Sequence, residues 1–351
     1  MPRASARRRI ATPQPTIRDV ASAAEVALGT VSRVINGHGN VSAELRTRVE
    51  TAITKLGFVP DTAAQSLRGR ATRSFACVMR DMTVPVLARF VDAMQRELDH
   101  EGYGLFVASS YHDPAREFAL LRQFARRRVD GLVIATSSER DPQVLRALRN
   151  APMPVTLLDR SDPAEMDAVG VDHASGTRRA IAHLLDLGHR RIAIISGEES
   201  LSPTRDRLRG YQDAFAERDL VPDPALVKLG SFSSDFAQAQ AAVLLDQPDP
   251  PTAFFVAGTA LLPGLLRVVH ARRMRIPRDL SIVAGADSEL AEFHSPGITV
   301  VRWDHGLLGA AAARFLRQRL QTPDARPQRA RTEAEFILRG SCGAPPKRKS
   351  A

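Results

Sequence analysis

The chain has 351 residues, of which 44% are hydrophobic and 25% charged, with a formal net charge of +10. This balance excludes a chain that is disordered throughout and predicts about two or three folded domains, while no uninterrupted apolar segment reaches the ~20 residues of a membrane-spanning helix. Only Cys77 and Cys342 occur, without a CxxC pair, so we expect neither a disulfide framework nor a cysteine metal site.

The positive charge is concentrated at the N-terminal end. Residues 1–73 contain 12 Lys and Arg against 5 Asp and Glu, a net charge of +7, whereas residues 74–351 carry only +3. A small basic module ahead of a nearly neutral body favours a polyanion-binding domain, although a basic face can also serve solubility alone. No apolar segment follows the arginines at 7–9, so we expect no secretory signal and a cytoplasmic protein.

Three short helices are predicted after a flexible basic arm at residues 1–15. Thr16 and Asp19 have the spacing of a capping box, in which each side chain satisfies a free backbone amide at a helix start. Ser42 is a typical N-cap of the third helix, and Gly57 is a typical stop signal after its end. The predicted helices cover residues 17–23, 28–36 and 43–56.

The first two helices are joined by a tight turn at residues 24–26 and therefore predict a helix-turn-helix unit. In that unit the second helix enters the major groove of DNA. Arg33 on its outer face is then a candidate base contact, because an Arg side chain can donate two hydrogen bonds to guanine. The alternative is that Arg33 is a solvated charge on a polar helix face.

The N-terminal sequence contains, in chain order, the motifs TIRDVA, TVSRVIN, VSAELRTRV, LGFVPD and AQSLR. With these motifs in this order, it closely resembles the N-terminus of the LacI/GalR family of bacterial transcriptional repressors. The resemblance implies a DNA-binding domain at residues 16–60 in which one set of residues contacts the DNA backbone and another faces the bases. The backbone contacts are Thr30, Ser32 and Asn36, the residues facing bases are Leu28, Gly29 and Arg33, and Thr16 is a further candidate contact.

Residues 61–73 resemble the hinge of that family, which becomes a helix only when two subunits sit together on operator DNA. Leu67 would then be an apolar wedge that opens a central base step in the minor groove. Otherwise Leu67 is an exposed residue of a surface linker. Ordering ~8 residues costs several kcal/mol, so a small change in subunit spacing can decide whether the hinge folds.

From residue 75 onward, short apolar strands alternate with helical segments, a pattern typical of parallel α/β sheets that are buried on both faces. The predicted strands lie near residues 75–79, 105–108, 131–135, 155–159, 191–196, 252–257 and 280–285. Two such series indicate two similar subdomains. Because ligands of α/β sheets bind beyond the carboxyl ends of the strands, a cleft between the two halves is the expected ligand site.

Within the family resemblance, this body at residues 74–341 is periplasmic-binding-protein-like. The implied fold class is α/β, with a small all-α helix-turn-helix domain followed by a two-subdomain body with parallel sheets. The implied division gives an N-subdomain at about 74–171 plus 303–331, a C-subdomain at about 172–302 plus 332–341, and a tail at 342–351.

Three polar residues match the groups that hold the effector in this family. Asp159, Arg207 and Asp287 can bracket adjacent hydroxyl groups through charge-assisted hydrogen bonds. Asp159 can instead be a residue of a strand-end turn, and Arg207 a surface charge on a helix. His173 stands where the family commonly has Asn, and it can be either a core residue or a ligand contact.

The chain also departs from the family at its expected cleft. Val86 and Leu87 stand where the family usually has aromatic residues that stack on a sugar ring, and Gly258 stands where it usually has Asn. With the aromatic wall and the bidentate amide both missing, we expect simple aldohexoses to bind poorly.

The sequence thus predicts a cytoplasmic homodimer that binds double-stranded operator DNA and regulates transcription, as a repressor. Its affinity for DNA would be changed by a small-molecule effector: a sugar, a sugar derivative or a related polar metabolite. Whether the effector releases DNA or is required for binding is not distinguished. A cytoplasmic α/β enzyme and a ligand-binding protein are the alternatives, but the motifs GxGxxG, GxxxxGK[ST], GxSxG and HExxH are absent. We expect no catalytic residue, no cofactor, no metal and no membrane partner.

Overall fold

The computed structural model describes residues 15–35, 41–58, 71–82 and 84–347. The chain divides into two compact units, residues 1–72 and residues 73–351, which we call the head and the body. Asn36, Leu67 and the side chain of Val86 lie outside the described residues, as do the arm at 1–14 and most of the predicted hinge.

The head contains the helices α1 (Ile17–Ala23), α2 (Leu28–Ile35) and α3 (Ala43–Leu56). Its small core is formed by Val20 and Ala21 of α1, Val31 and Val34 of α2, and Val49 and Ala52 of α3. The Thr16–Asp19 capping box is present, and Ser42 caps α3, whose end is marked by Gly57 with φ +63°. The predicted helix boundaries and caps in the described part of the head are therefore confirmed.

The body alternates strands and helices along its length. The strands are β1 (Ser74–Met79), β2 (Gly104–Ser109), β3 (Gly131–Ile134), β4 (Val155–Leu158), β5 (Asp167–Val171), β6 (Ile192–Ser196), β7 (Val227–Leu229), β8 (Ala253–Val256), β9 (Ser281–Ala284), β10 (Thr299–Arg302), β11 (Arg329–Thr332) and β12 (Glu335–Ile337). The helices are α4 (Pro85–Asp99), α5 (Pro114–Arg127), α6 (Pro142–Arg149), α7 (His173–Asp186), α8 (Ser202–Ala216), α9 (Ser234–Leu245), α10 (Leu261–Ala271), α11 (Glu289–Phe293) and α12 (His305–Gln321).

The strands form two six-stranded sheets, each of which defines one lobe of the body. The first lobe contains the all-parallel sheet β11-β5-β4-β3-β1-β2. The second lobe contains the sheet β12-β10-β9-β8-β6-β7, in which β12 runs antiparallel to β10. The chain crosses between the lobes after β5, after β10 and between β11 and β12. The predicted α/β fold with two parallel sheets is confirmed.

The central strands are near-continuous apolar runs because helices cover both faces of each sheet. In β3, β4, β8 and β9 every residue is buried. The edge strands β7 and β11 are only partly buried. The apolar pattern predicted neither these two strands nor the edge strand β12 and the interior strands β5 and β10. Within the described residues, no helix combines the length and the hydropathy that crossing a membrane requires.

Candidate functional site

The helix α2 presents a clear outer face on the head. Val31 and Val34 are buried against the other two helices, whereas Leu28 is 46% exposed and Gly29 and Arg33 are exposed. In a helix-turn-helix unit this exposed face of the second helix is the one that reads base edges. All three residues predicted to face bases thus lie together on an accessible helix surface.

The remaining described candidates for DNA contact surround that face. Thr30 and Ser32 of α2 are partly buried, and Thr16 is exposed at the start of α1. The Thr16 hydroxyl lies 2.7 Å from Oδ2 of Asp19, and this carboxylate also accepts the backbone N–H of Thr16 at 2.7 Å. The capping box therefore fixes the helix end that carries this candidate contact.

The turn between α1 and α2 is held from the third helix. Glu25 has φ +50°, a left-handed conformation that favours glycine. Nη2 of Arg48 donates hydrogen bonds to the carbonyl oxygens of Ala24 at 2.7 Å and Glu25 at 3.3 Å, and it also lies 3.3 Å from the Glu25 carboxylate. These bonds give the turn a support that the sequence alone did not reveal.

The body contains a cleft at the carboxyl ends of strands from both lobes. Arg80 directly follows β1, Asp159 and Arg160 follow β4, and Gly258 follows β8; all four line the cleft. Parallel strands bring their carboxyl ends to one edge of a sheet, which is why residues distant in sequence meet here. The cleft lies where the strand pattern predicts a ligand site.

Asp159 and His173 are joined inside this cleft region. Asp159 has φ +52° at the turn after β4, and its carboxylate lies 3.0 Å and 3.1 Å from Nε2 of His173, at the start of α7. Burial alone would raise the pKa of Asp159. The interaction with His173, through charge and a hydrogen bond, and next the positive charge of Arg207 outweigh it and hold that pKa well below its usual range.

His173 holds Asp159 in place and does not itself line the cleft. Its side chain is 2% exposed and its ring packs edge-on against Trp303, with centroids 5.2 Å apart. Burial, and next the charge of Arg207, lower the pKa of His173, so at neutral pH the ring is neutral and donates its Nε2–H to Asp159. Of the two alternatives for His173, the structure favours a buried residue that orients a cleft carboxylate.

Arg207 projects from α8 into the cleft and is only 4% exposed. The helix can approach because residue 210 is glycine: a Cβ there would lie 2.2 Å from the carbonyl oxygen of Ala174 in α7. This close contact places Arg207 beside the Asp159–His173 pair. Burial lowers the pKa of Arg207 to about 10, which leaves its side chain charged at neutral pH.

The start of α8 is tied to the first lobe by a buried carboxylate. Glu139 follows β3, is 3% exposed, and accepts the backbone N–H of Ser161 at 2.6 Å. It also accepts the backbone N–H of Ser202, the first residue of α8. A carboxylate at this helix end is favourable because helix N-termini carry a partial positive charge. Glu139 thus links the two lobes next to the cleft.

The cleft has aromatic surface although Val86 and Leu87 stand where the family usually has an aromatic pair. Leu87 lines the cleft together with several aromatic rings, among them Phe90 of α4, Phe232 in the loop after β7, and Trp303 after β10. Gly258 lies against Phe232, since a Cβ at this glycine would be 3.1 Å from the ring. Neither Phe232 nor Trp303 was predicted as a site residue.

Asp287 is engaged outside the lining of the cleft. Its carboxylate accepts two hydrogen bonds from Nη1 and Nη2 of Arg339, both at 2.9 Å, while its neighbour Ala286 lines the cleft. A bidentate pair of this kind fixes the carboxylate geometrically. The structure therefore brings Asp159 and Arg207 together and leaves Asp287 paired with a different arginine.

Comparisons with known proteins agree with both parts of the chain. The model of bacterial regulatory proteins of the lacI family matches residues 16–61, and that of the periplasmic binding protein-like domain matches residues 181–342. The transcriptional regulator DegA of Bacillus subtilis is 31% identical over 289 residues, which cover 82% of this chain and 86% of DegA.

Two solved structures resemble the chain over nearly its whole length. A complex of the transcriptional regulator CelR with cellobiose is 32% identical and has a TM-score of 0.71, covering 93% of this chain and 99% of that one. The lac repressor dimer bound to operator and the anti-inducer ONPF is 27% identical and has a TM-score of 0.82, covering 94% of this chain and 99% of that one.

Proposed function

Because the chain belongs to the lacI family of bacterial regulatory proteins, we propose that it acts as a homodimeric repressor that binds operator DNA through its head. It is a DNA-binding transcriptional regulator, and its relatives are regulators rather than enzymes. A small polar metabolite in the cleft of the body would change its affinity for DNA. This action on chromosomal DNA would take place in the cytoplasm.

The observation that carries the DNA-binding proposal is the exposed face of α2. Leu28, Gly29 and Arg33 are accessible on one side of the helix, while Val31 and Val34 fix its other side to the head. Base readout requires such a helix to be rigid as well as accessible, since each misplaced side chain loses its hydrogen bond to a base edge. Asn36 and Leu67 would complete the set of contacts.

The effector proposal is supported by the composition of the cleft. Asp159, Arg207 and Gly258 come from both lobes and face a common space. A ligand that contacts both lobes favours the conformation in which the lobes are closed. Such a change in the body would alter the affinity of the head for DNA. We assign the N-subdomain to 74–171 plus 303–331 and the C-subdomain to 172–302 plus 332–341.

Selection from a random duplex pool by the full-length protein tests the function. We expect recovered fragments to share a near-palindromic site, because a symmetric dimer presents two copies of α2. Binding to that site should weaken steeply with salt concentration. Recovery of unrelated fragments, or affinity that is equal for the selected site and a scrambled duplex, would contradict specific DNA recognition.

A further inference from the structure

Three arginine side chains face the cleft without a carboxylate partner. Within the part of the chain that the structure describes, no Asp or Glu oxygen lies within 4.0 Å of a guanidinium nitrogen of Arg80, Arg160 or Arg207. Arg160 and Arg207 are each only 4% exposed. Nη1 of Arg80 and Nη2 of Arg160 are shielded from solvent and have no hydrogen-bond partner. Buried cationic donors in this state are costly unless a ligand satisfies them.

The positive charge comes from both lobes and converges on one aromatic ring. Arg80 of the first lobe lies over Phe232 at 4.6 Å from the ring centroid, and Arg207 of the second lobe lies 5.9 Å from the same centroid. Burial, and next the charge of Arg160, lower the pKa of Arg80 to about 9. Arg80 is therefore still charged at neutral pH. Its neighbouring like charges are Arg160 of the same lobe and Arg207 of the opposite lobe.

The nearby carboxylates do not neutralise these arginines by direct pairing. Asp159 is hydrogen-bonded to His173, and Asp287 is paired with Arg339. At longer range, Asp159 is the main carboxylate acting on Arg80 and Arg207, and Glu139 is the main one acting on Arg160. Glu198 acts more weakly on Arg80 and Arg160, and its Oε2 has no hydrogen-bond partner. The cleft thus retains charged guanidinium groups that have no carboxylate in direct contact among the described residues.

We propose, on the premise of the effector-regulated function above, that the ligand of this cleft is a polar metabolite carrying an oxyanion, either a carboxylate or a phosphate monoester. The oxyanion sits between Arg80 and Arg207, because a planar guanidinium fork matches the paired oxygens of both groups. Since these arginines belong to opposite lobes, the bound anion replaces their repulsion with a bridge and draws the lobes together. A neutral hexose offers no such charge.

Thermal unfolding of the full-length protein in sodium phosphate and in sodium chloride, at equal ionic strength and pH, tests the anion site. We expect phosphate to raise the midpoint above that in chloride, because an anion bound only by the folded state stabilises it. Arg80→Met should reduce the difference to the general stabilisation that phosphate gives a folded protein without a binding site. Without phosphate, this variant should unfold no earlier than the wild type, since it removes a desolvated charge that has no carboxylate partner and keeps an apolar contact with Phe232.

Two further variants sharpen the test. Arg96→Met removes an exposed arginine of α4 that is paired with Asp92, and it should retain the full phosphate effect. Glu198→Gln should increase the phosphate effect, because it removes a negative charge near the arginines. An equal midpoint in phosphate and chloride, or a phosphate effect in Arg80→Met as large as in the wild type and Arg96→Met, overturns the proposal.

Calorimetric titration with glucose, gluconate and glucose 6-phosphate separates the two sources of the anion. Tighter binding of gluconate than of glucose, weakened by about tenfold or more in Arg80→Met, indicates a carboxylate ligand. The same result with glucose 6-phosphate indicates a phosphate ester. Glucose binding as tightly as both anions overturns the proposal and leaves effector regulation intact. The duplex selection is a separate test: if it recovered no specific site, the proposed function would be contradicted, whereas the anion-binding measurements would still stand.

Discussion

Nε2 of His173 lies 3.0 Å from Oδ2 of Asp159, so the first residue of α7 orients a carboxylate at the end of β4. The pair lies where the chain crosses from the first lobe to the second. Because Asp159 lines the cleft while His173 is buried behind it, the histidine acts on the ligand site through its partner. The family pattern has Asn at this position, a side chain that can donate a hydrogen bond but does not titrate.

Replacing His173 with Asn should make the stability of the body less dependent on pH. The pKa of buried His173 is lowered, so as pH falls the unfolded chain binds a proton before the folded chain does. The contribution of neutral His173 to the free energy of unfolding is fully present above pH ~6.5. It is lost as pH falls through the pKa of the folded state, by up to about 1.4 kcal/mol per pH unit. Denaturant unfolding at several pH values between ~5 and ~7.5 measures the slope.

The histidine prediction has an internal comparison. His112, His183, His189 and His305 also have lowered pKa values, with burial as the main cause. Some loss of stability on acidification should therefore remain in His173→Asn. His100→Asn, at an exposed position, serves as the control. If the free energy of unfolding changed with pH by the same amount in the wild type and in His173→Asn, the protonation of His173 would not destabilise the folded state.

Gly210→Ala should destabilise the body and displace Arg207. The added Cβ would lie 2.2 Å from the carbonyl oxygen of Ala174, and this backbone atom cannot rotate away. Overpacking of this kind costs typically about 1–3 kcal/mol. Gly29→Ala is the matched control, because its Cβ meets nothing within 4 Å and should gain helix propensity instead. If thermal melts show Gly210→Ala to be as stable as the wild type, the close approach of α8 to the Ala174 carbonyl of α7 does not depend on glycine at position 210.

Arg33→Ala should relax base preference at one position of each half-site. Arg33 is exposed on the reading face of α2, and loss of a bidentate contact to guanine would cost about 1–3 kcal/mol of discrimination. Arg18→Ala removes the same charge from the exposed surface of α1 and should leave the ratio between operator and mutated site unchanged. Titrations against the selected operator and single-base variants measure this ratio. A uniform loss for all duplexes would make Arg33 a phosphate contact.

The sequence predicted best the features that depend on neighbouring residues. The capping box at Thr16 and the left-handed Gly57 act within a few residues, so the described helix ends of the head followed from local pattern. Central strands such as β3 and β8 followed because both faces are buried and the residues are continuously apolar. The edge strand β11 alternates exposed and partly buried residues, and only pairing with β5 makes it a strand.

The candidate site was only partly predictable for a similar reason. Asp159 and Arg207 matched a known pattern, and both line the cleft. Arg80 follows a strand that was predicted, so its position at a sheet edge was a usable signal. Phe232 follows β7, an edge strand that the pattern did not reveal, and its approach to the cleft depends on tertiary packing alone. The pairing of Asp287 with Arg339, 52 residues away, likewise has no local signature.

Glu25→Gly should stabilise the turn before α2 and raise DNA affinity. Glu25 has φ +50°, and glycine adopts this conformation without the cost of about 1–2 kcal/mol that other residues carry. The carboxylate lost is 85% exposed, so its ion pair with Arg48 contributes little. The bonds from Arg48 to the carbonyls of residues 24 and 25 remain available. Removing a negative charge beside DNA also reduces repulsion from the phosphates.

Two companion variants decide whether the turn or the charge is responsible. Glu25→Gln removes the charge and keeps the side chain, so it should raise DNA affinity without stabilising the head. Ala27→Ser, at the start of α2, should add about 0.5–2 kcal/mol of capping energy. Thermal melts and operator titrations of each variant, and of Glu25→Gly with Ala27→Ser, separate these effects. No gain from the double variant in either measurement would mean that Arg48 already compensates fully for the turn, and it would weaken the assignment of base contacts to Leu28 and Gly29.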